Sequence, residues 1–347
     1  MSRSLRLPAY PILASAPRGI TLYGLDFNGH NLPGTQGTDY FQHSNADYAY
    51  IARKGFNIVR LALSWERVQP TLSGALDATY IGYVDQNVTW AAANGLKIVF
   101  DIQNFGGYIL PVDTVYKIGT TQVTIANFSD FWSRMSARYA GNSGVFGYDL
   151  MNEPNFMPVT TTSANYNTTA TWTLAAQAAI NAIRANDTTS YIFAEFDGSA
   201  SAEFFFTTYG ANPTPWWTDS ANKLYYTCHY YPDAAGTYTG VYRYFSGLGK
   251  SIYSGGDIMK AVLDWGVAHT VPICLGEHGI PPNDDAWAVL DNDVLNVCDQ
   301  YPQTIVMYWA MGDHDTQNIS VQPTNNFTTD AKQMAMVEQF HLGKAVT

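Results

Sequence analysis

Gly147-Tyr148-Asp149-Leu150-Met151-Asn152-Glu153-Pro154-Asn155 is the stretch on which the reading of this chain turns. The apolar run Val145 to Met151 predicts a short buried strand. It ends in an amide, a carboxylate and a proline, and proline closes a strand because it has no N–H to give the ladder. Asn152 and Glu153 therefore fall at a strand's C-terminal rim, where parallel α/β sheets place their ligand crevices. Val271-Pro272-Ile273-Cys274-Leu275-Gly276-Glu277-His278-Gly279 has the same form. Two glutamates ending two strands of one barrel can face each other across a glycosidic bond.

Outward from these stretches, strands and helices alternate. Strands are predicted over Gly19 to Phe27, Asn57 to Leu63, Leu96 to Asp101, Val145 to Met151, Ser190 to Glu195, Lys223 to His229, from Val271 onward, and over Thr304 to Trp309. Between them lie helical segments: Asn45 to Lys54, closed by Gly55; a segment capped by Asp77 and running to Asn94, with Gly95 beyond it; Ile125 to Tyr139; and Thr169 to Ala185. A short helix is predicted near Ser201 to Tyr209, and others over Gly256 to His269, Asn283 to Gln300 and Thr329 to His341. Strand–helix pairs in this order predict the α/β class, as a single (β/α)8 TIM barrel forming one catalytic domain over 1–347, with 1–18 as an N-terminal extension. The competing open, doubly wound sheet is disfavoured because no Gly-rich phosphate loop follows any strand.

Composition narrows the function. Of 347 residues only 14% are charged, and 29 acids against 18 bases give a net charge of −11. Nothing concentrates Lys and Arg, so nucleic acid and anionic membrane are excluded as partners. The 24 Tyr and 9 Trp suit stacking on sugar rings, although most aromatics fill a core this size. No stretch is long and apolar enough to span a membrane. Pro8, Pro11 and Pro17 interrupt the apolar part of the N-terminus, so a signal peptide is not evident, yet an extracellular location and a monomer are expected. Cys228, Cys274 and Cys298 fit no disulfide framework or zinc motif. By strand parity Cys228 and Cys274 should face the helix layer, which leaves room for a Cys274–Cys298 bridge. Sequons at Asn87, Asn127, Asn167, Asn186, Asn318 and Asn326 are compatible with chance in a chain rich in Asn and Thr.

The predicted strand ends collect one kind of chemistry: Asn28 and His30, Gln103 and Asn104, Asn152 and Glu153, His229 and Tyr231, Glu277 and Trp309. Arg60 stands inside an apolar strand, where a cation needs a buried anion, and Glu277 is its natural partner. With these residues in place, the chain resembles glycoside hydrolase family 5, and within it the endo-β-1,4-glucanases. The matching pieces are Asn57-Ile-Val-Arg-Leu-Ala-Leu-Ser-Trp-Glu-Arg-Val-Gln-Pro70, Asp149-Leu-Met-Asn-Glu-Pro154, His229-Tyr-Tyr231, Leu275-Gly-Glu277 and Tyr308-Trp-Ala310. The resemblance implies that Glu153 is the general acid/base and Glu277 the nucleophile of a retaining double displacement. It further implies that Arg60 holds the nucleophile ionised, Asn152 bonds the sugar 2-hydroxyl, His229 and Tyr231 flank the carboxylates, and Trp309 lies under the sugar at the cleavage subsite. Gln103, Asn104 and His30 complete the expected substrate-binding set. No cofactor and no metal are expected, and the partner is a polysaccharide or oligosaccharide.

The chain departs from the family's pattern in three places. Gln103-Asn104 stands where His-Asn is usual. Glu195-Phe-Asp-Gly-Ser199 lacks an asparagine-tryptophan pattern, and Gly312-Asp-His-Asp315 lacks paired tryptophans. These changes leave the chemistry intact and bear on substrate. The substrate alternatives are a mannan or a bacterial exopolysaccharide on the same barrel, and a non-catalytic carbohydrate-binding barrel is the reading from another class. Trp216-Trp217 offers a replacement stacking surface or a buried structural pair. Asp313, His314 and Asp315 read as solvated loop residues rather than metal ligands.

Overall fold

The computed structural model describes residues 16–110, 113–158, 170–232, 255–282, 286–312 and 318–342. Eight parallel strands close a barrel: β1 (Arg18–Leu22), β2 (Ile58–Leu63), β3 (Lys97–Ile102), β6 (Val145–Asp149), β7 (Tyr191–Glu195), β8 (Leu224–His229), β9 (Ile273–Glu277) and β10 (Ile305–Met311), with β10 returning to β1. Two further short strands, β4 (Gly107–Leu110) and β5 (Thr114–Lys117), form an antiparallel hairpin outside the barrel. The helices between strands are α1 (Asn45–Arg53), α2 (Trp65–Val68), α3 (Ala78–Ala93), α4 (Ile125–Tyr139), α5 (Thr171–Arg184), α6 (Phe205–Tyr209), α7 (Gly255–His269), α8 (Ala286–Asp299) and α9 (Met334–Leu342). Local chemistry sets their ends. Asp77 accepts from the Tyr80 N–H to start α3, and Thr124 and Asn127 form a reciprocal capping box on α4. Gly55 and Gly95 turn the chain at φ +82° and +74° just past α1 and α3.

Inside the barrel Ile58, Val99, Phe193, Tyr225, Cys274, Ile305 and Met307 pack on one another below the rim. The larger core lies between barrel and helices. It includes Trp216 and Trp217, which are buried among Phe196, Phe205, Tyr209, Tyr226 and Trp265, so this pair is structural and not a sugar platform. The first strand ends at Leu22 rather than Phe27. Beyond it Arg67 gathers the carbonyls of Leu25, Phe27, Asn28, Asn31 and Pro33 and holds them as a loop. The closing helix begins at Met334, because Thr324 bridges to Thr329 through left-handed Asn325, Asn326 and Phe327. The expected Asn283 cap and the Asp313–His314–Asp315 loop lie outside the described residues. Asn87 is fully buried, its amide held by Gln42 and Tyr83, so that sequon is out of reach of glycosylation.

The cysteine expectation is corrected. Cys228 does face the helix layer, beside Met259, but Cys274 points into the barrel. Strand parity fails at a β-bulge: Cys228 pairs with Leu275, yet the next residue, His229, pairs with Glu277, leaving Gly276 as the extra residue. Counting back from Glu277 across that bulge inverts the assignment. Cys298 packs in the helix-layer core on the other side of the wall, and none of the three is in a disulfide.

Candidate active site

At the rim of the barrel the apolar strands give way to charge around Arg60, whose side chain is fully buried. Its Nε donates to Asp149 Oδ2 at 2.8 Å, Nη1 to Glu277 Oε1 at 2.6 Å, and Nη2 to Glu195 Oε1 at 2.8 Å and Asn152 Oδ1 at 3.0 Å. Asp101 Oδ1 lies 3.1 Å from Nη2. Glu277 is thus a partner of Arg60, as the sequence suggests, within a larger set. Burial works against the guanidinium's charge, but Asp101, Asp149, Glu277 and Glu195 together raise its pKa well above the usual value. Burial in turn raises the carboxyls of Asp101 and Asp149, with Arg60 opposing, and pushes Glu195 up to about 7. Burial thus makes the lower part of the cluster harder to ionise than exposed carboxyls. Because Arg60 is sealed beneath these carboxyls, it orients Glu277 and Asn152 from behind rather than touching substrate.

Above Arg60 sit the two glutamates from the opening stretches. Glu153 takes a left-handed φ of +45°, uncommon for a residue with a side chain, and its N–H donates to Glu195 Oε2 at 2.6 Å. Its carboxyl is 23% exposed and meets His229 Nδ1 at 3.1 Å. Glu277 receives the Tyr231 hydroxyl on Oε2 at 2.7 Å, with His229 Nδ1 at 3.4 Å from the same oxygen. The second ring nitrogen of His229 contacts Glu195 Oε1 at 3.1 Å. Burial alone would lower the imidazole's pKa, but Glu195, Glu277 and Glu153 raise it well above the usual value, which favours the protonated ring. One oxygen each of Glu153 and Glu277 and a nitrogen of His229 fall within 4.8 Å of one another.

Two carboxylate groupings here are compact enough to hold a cation: Glu153 with His229 and Glu277, and Asp101 with Asp149 and Glu195. In the lower grouping the Arg60 guanidinium already occupies the place between the carboxyls that a cation would take.

A cleft of about 440 Å³ opens at the C-terminal ends of β3 and β10, lined by Tyr23, Asp26, His30, Asn104, Phe105 and Trp309 among others. Trp309, largely buried, stands on its wall where the sequence puts the sugar platform. Gln103 also lines it, but its amide turns back to Asp101 Oδ2 at 2.6 Å. Asn104 is engaged in structure: its amide donates to both Glu66 oxygens at 2.8 and 2.7 Å and accepts from the Trp65 N–H at 2.8 Å. His30 lies on the outer rim, 65% exposed and paired with Asp113 at 2.7 Å, apart from the catalytic cluster. Sequence reasoning missed Glu195, Asp101, Asp149 and Glu66. The argument applied to Arg60, a charge inside an apolar strand, would have found Asp101 and Asp149, and Glu195 ends an apolar run just as Glu153 and Glu277 do.

Comparison with known proteins agrees with this geometry. The family model described as Cellulase (glycosyl hydrolase family 5) matches residues 21–315. Endo-beta-1,4-glucanase B of Emericella nidulans is 30% identical over 222 residues, 64% of this chain and 61% of its own length. Endoglucanase gh5-1 of Neurospora crassa is 32% identical over 228 residues, 64% of this chain and 52% of its own length. The chain thus spans less than two thirds of these relatives. Among solved structures, the Pseudomonas stutzeri endoglucanase Cel5A in complex with cellobiose superposes with a TM-score of 0.79 at 27% identity, covering 94% of this chain and 92% of that one. XacCel5A in complex with cellopentaose gives 0.80 at 25% identity, covering 94% and 99%.

Proposed function

The chain belongs to glycosyl hydrolase family 5, and we propose that it is a retaining endo-β-1,4-glucanase acting outside the cell on a soluble glucan. The observation that carries this reading is the approach of Glu153 and Glu277 to within 4.8 Å, with donors already aimed at Glu277. Retaining glycosidases hold their carboxyls about 5–5.5 Å apart, whereas inverting ones leave roughly 6.5–9.5 Å for a water. In the first step Glu277 attacks the anomeric carbon while Glu153 protonates the departing glycosidic oxygen. Arg60 and Tyr231 fix the attacking carboxylate through one hydrogen bond to each oxygen. Bond formation removes the charge of Glu277, so Glu153, now deprotonated, takes a proton from the water that releases the sugar. His229 contacts both carboxyls and balances their charge through both steps. The glucanase names and bound cello-oligosaccharides of the similar proteins support a β-1,4-glucan as substrate.

A hydrolysis screen tests the substrate. Carboxymethylcellulose and mixed-linkage glucan should lose viscosity and release reducing ends, crystalline cellulose should react weakly, and Glu277→Ala should be inactive throughout. Release from a mannan or a bacterial exopolysaccharide with none from any β-glucan would leave the catalytic roles standing and overturn the glucanase assignment.

A further inference from the structure

Phe105 and Phe156 are large apolar side chains left exposed beside the catalytic centre, 43% and 86% respectively. Both sit at left-handed φ, +52° and +49°, a conformation that costs a bulky residue free energy and persists only where the surroundings impose it. Those surroundings are specific. Lys117 Nζ donates to Phe105 O at 2.6 Å and to Asn155 Oδ1 at 3.0 Å, tying the loop after β3 to the loop after β6. Gly106 lets the two loops meet, since a Cβ there would lie 2.7 Å from Met157 Sδ. Asn155 Nδ2 donates in turn to Glu153 O at 3.1 Å, so both phenyl-bearing loops are clamped to the backbone of the acid/base.

Phe105 lines the same cleft as Trp309 and Tyr23, with Val115 of the hairpin alongside. The exposed face of Phe105 is therefore part of the cleft wall, and Phe156 stands on the neighbouring loop that Lys117 clamps to it; the apolar faces of pyranose rings match such surfaces. We propose that Phe105 and Phe156 are stacking platforms for sugar rings of the glucan beyond the cleavage point. They take the place of the tryptophans missing from Glu195-Phe-Asp-Gly-Ser199 and Gly312-Asp-His-Asp315. The inference rests on the reading of the substrate as a β-1,4-glucan. Energy gained on such platforms is available to distort the reacting sugar, so their loss is felt in turnover of long chains.

Phe105→Leu and Phe156→Leu retain an exposed apolar side chain but remove the flat face; Phe105→Tyr and Phe156→Tyr restore it. The measurement is kcat/KM on cellohexaose and on an aryl cellobioside. With either Leu variant the ratio of the two should fall about tenfold, by loss on the hexaose, while the Tyr variants keep the wild-type ratio. A wild type that cleaves cellohexaose, with Leu variants that match it or lose equally on both substrates, would overturn the platforms, as expected if these rings instead meet another protein. A wild type inactive on every β-1,4-glucan would bring down the substrate reading and this assignment with it, and the wild-type assay alone separates that outcome.

Discussion

Glu195 shows how much one buried side chain organises. Its two oxygens take the Arg60 guanidinium, the His229 ring and the main-chain N–H of Glu153, linking the charge network to the proposed acid/base. Burial pushes its carboxyl from the usual 4.5 up to about 7, although His229 opposes the shift. The folded protein therefore holds a proton here that the unfolded chain releases. That contribution to stability is complete below about pH 4.5 and is lost as pH rises through about 7. Glu195→Gln removes it. In thermal denaturation the midpoint of wild type relative to the variant should fall as pH goes from about 4.5 to about 7.5; a constant difference would mean that Glu195 does not titrate in the folded state. Glu153 and Glu277 were legible because each ends an apolar run, and Arg60 because it interrupts one. Glu195 ends an apolar run too, which puts it at the rim, but nothing in its neighbours says that it is sealed there by an arginine 135 positions away along the chain rather than met by water.

Among the elements, β9 bears most directly on the chemistry. Its bulge places both Cys274 and Glu277 on the inward face, which an unbroken period-two strand cannot do. Gly276 is the residue that makes room: a Cβ there would lie 2.5 Å from Thr227 Cγ2 and 3.2 Å from His229 Nε2. Gly276→Ala should keep the barrel, as read by far-UV circular dichroism, lose about 1–3 kcal/mol of stability through overpacking, and lower kcat on the order of tenfold by displacing His229. An Ala variant with wild-type kcat would show that the bulge tolerates a side chain without moving the imidazole. The barrel strands and long helices were legible from apolar runs, caps and glycines. The β4–β5 hairpin and α2 were not, because elements of four residues carry too little periodicity. The hairpin is fixed instead by Glu66, which accepts from the Ile109 N–H at 2.5 Å and from Asn104, a contact between distant segments.

At the scale of the whole molecule, closing eight parallel strands gathers Arg60, Glu153, Glu195, His229 and Glu277 from five of them at one mouth. Helices and inward-facing apolar layers pack around that mouth, and the loop leaving β6, tied through the Glu153 N–H to Glu195, carries Glu153 to Glu277 at the end of β9. On the proposed reading, the approach of one oxygen of Glu153 to one of Glu277 leaves no room for a water between them and routes the reaction through two displacements and a covalent glycosyl-enzyme. Proton NMR of freshly released product from a cello-oligosaccharide reads this directly. The account predicts the β-anomer first, with the α-anomer growing in only by mutarotation; α-anomer as the initial product would contradict it.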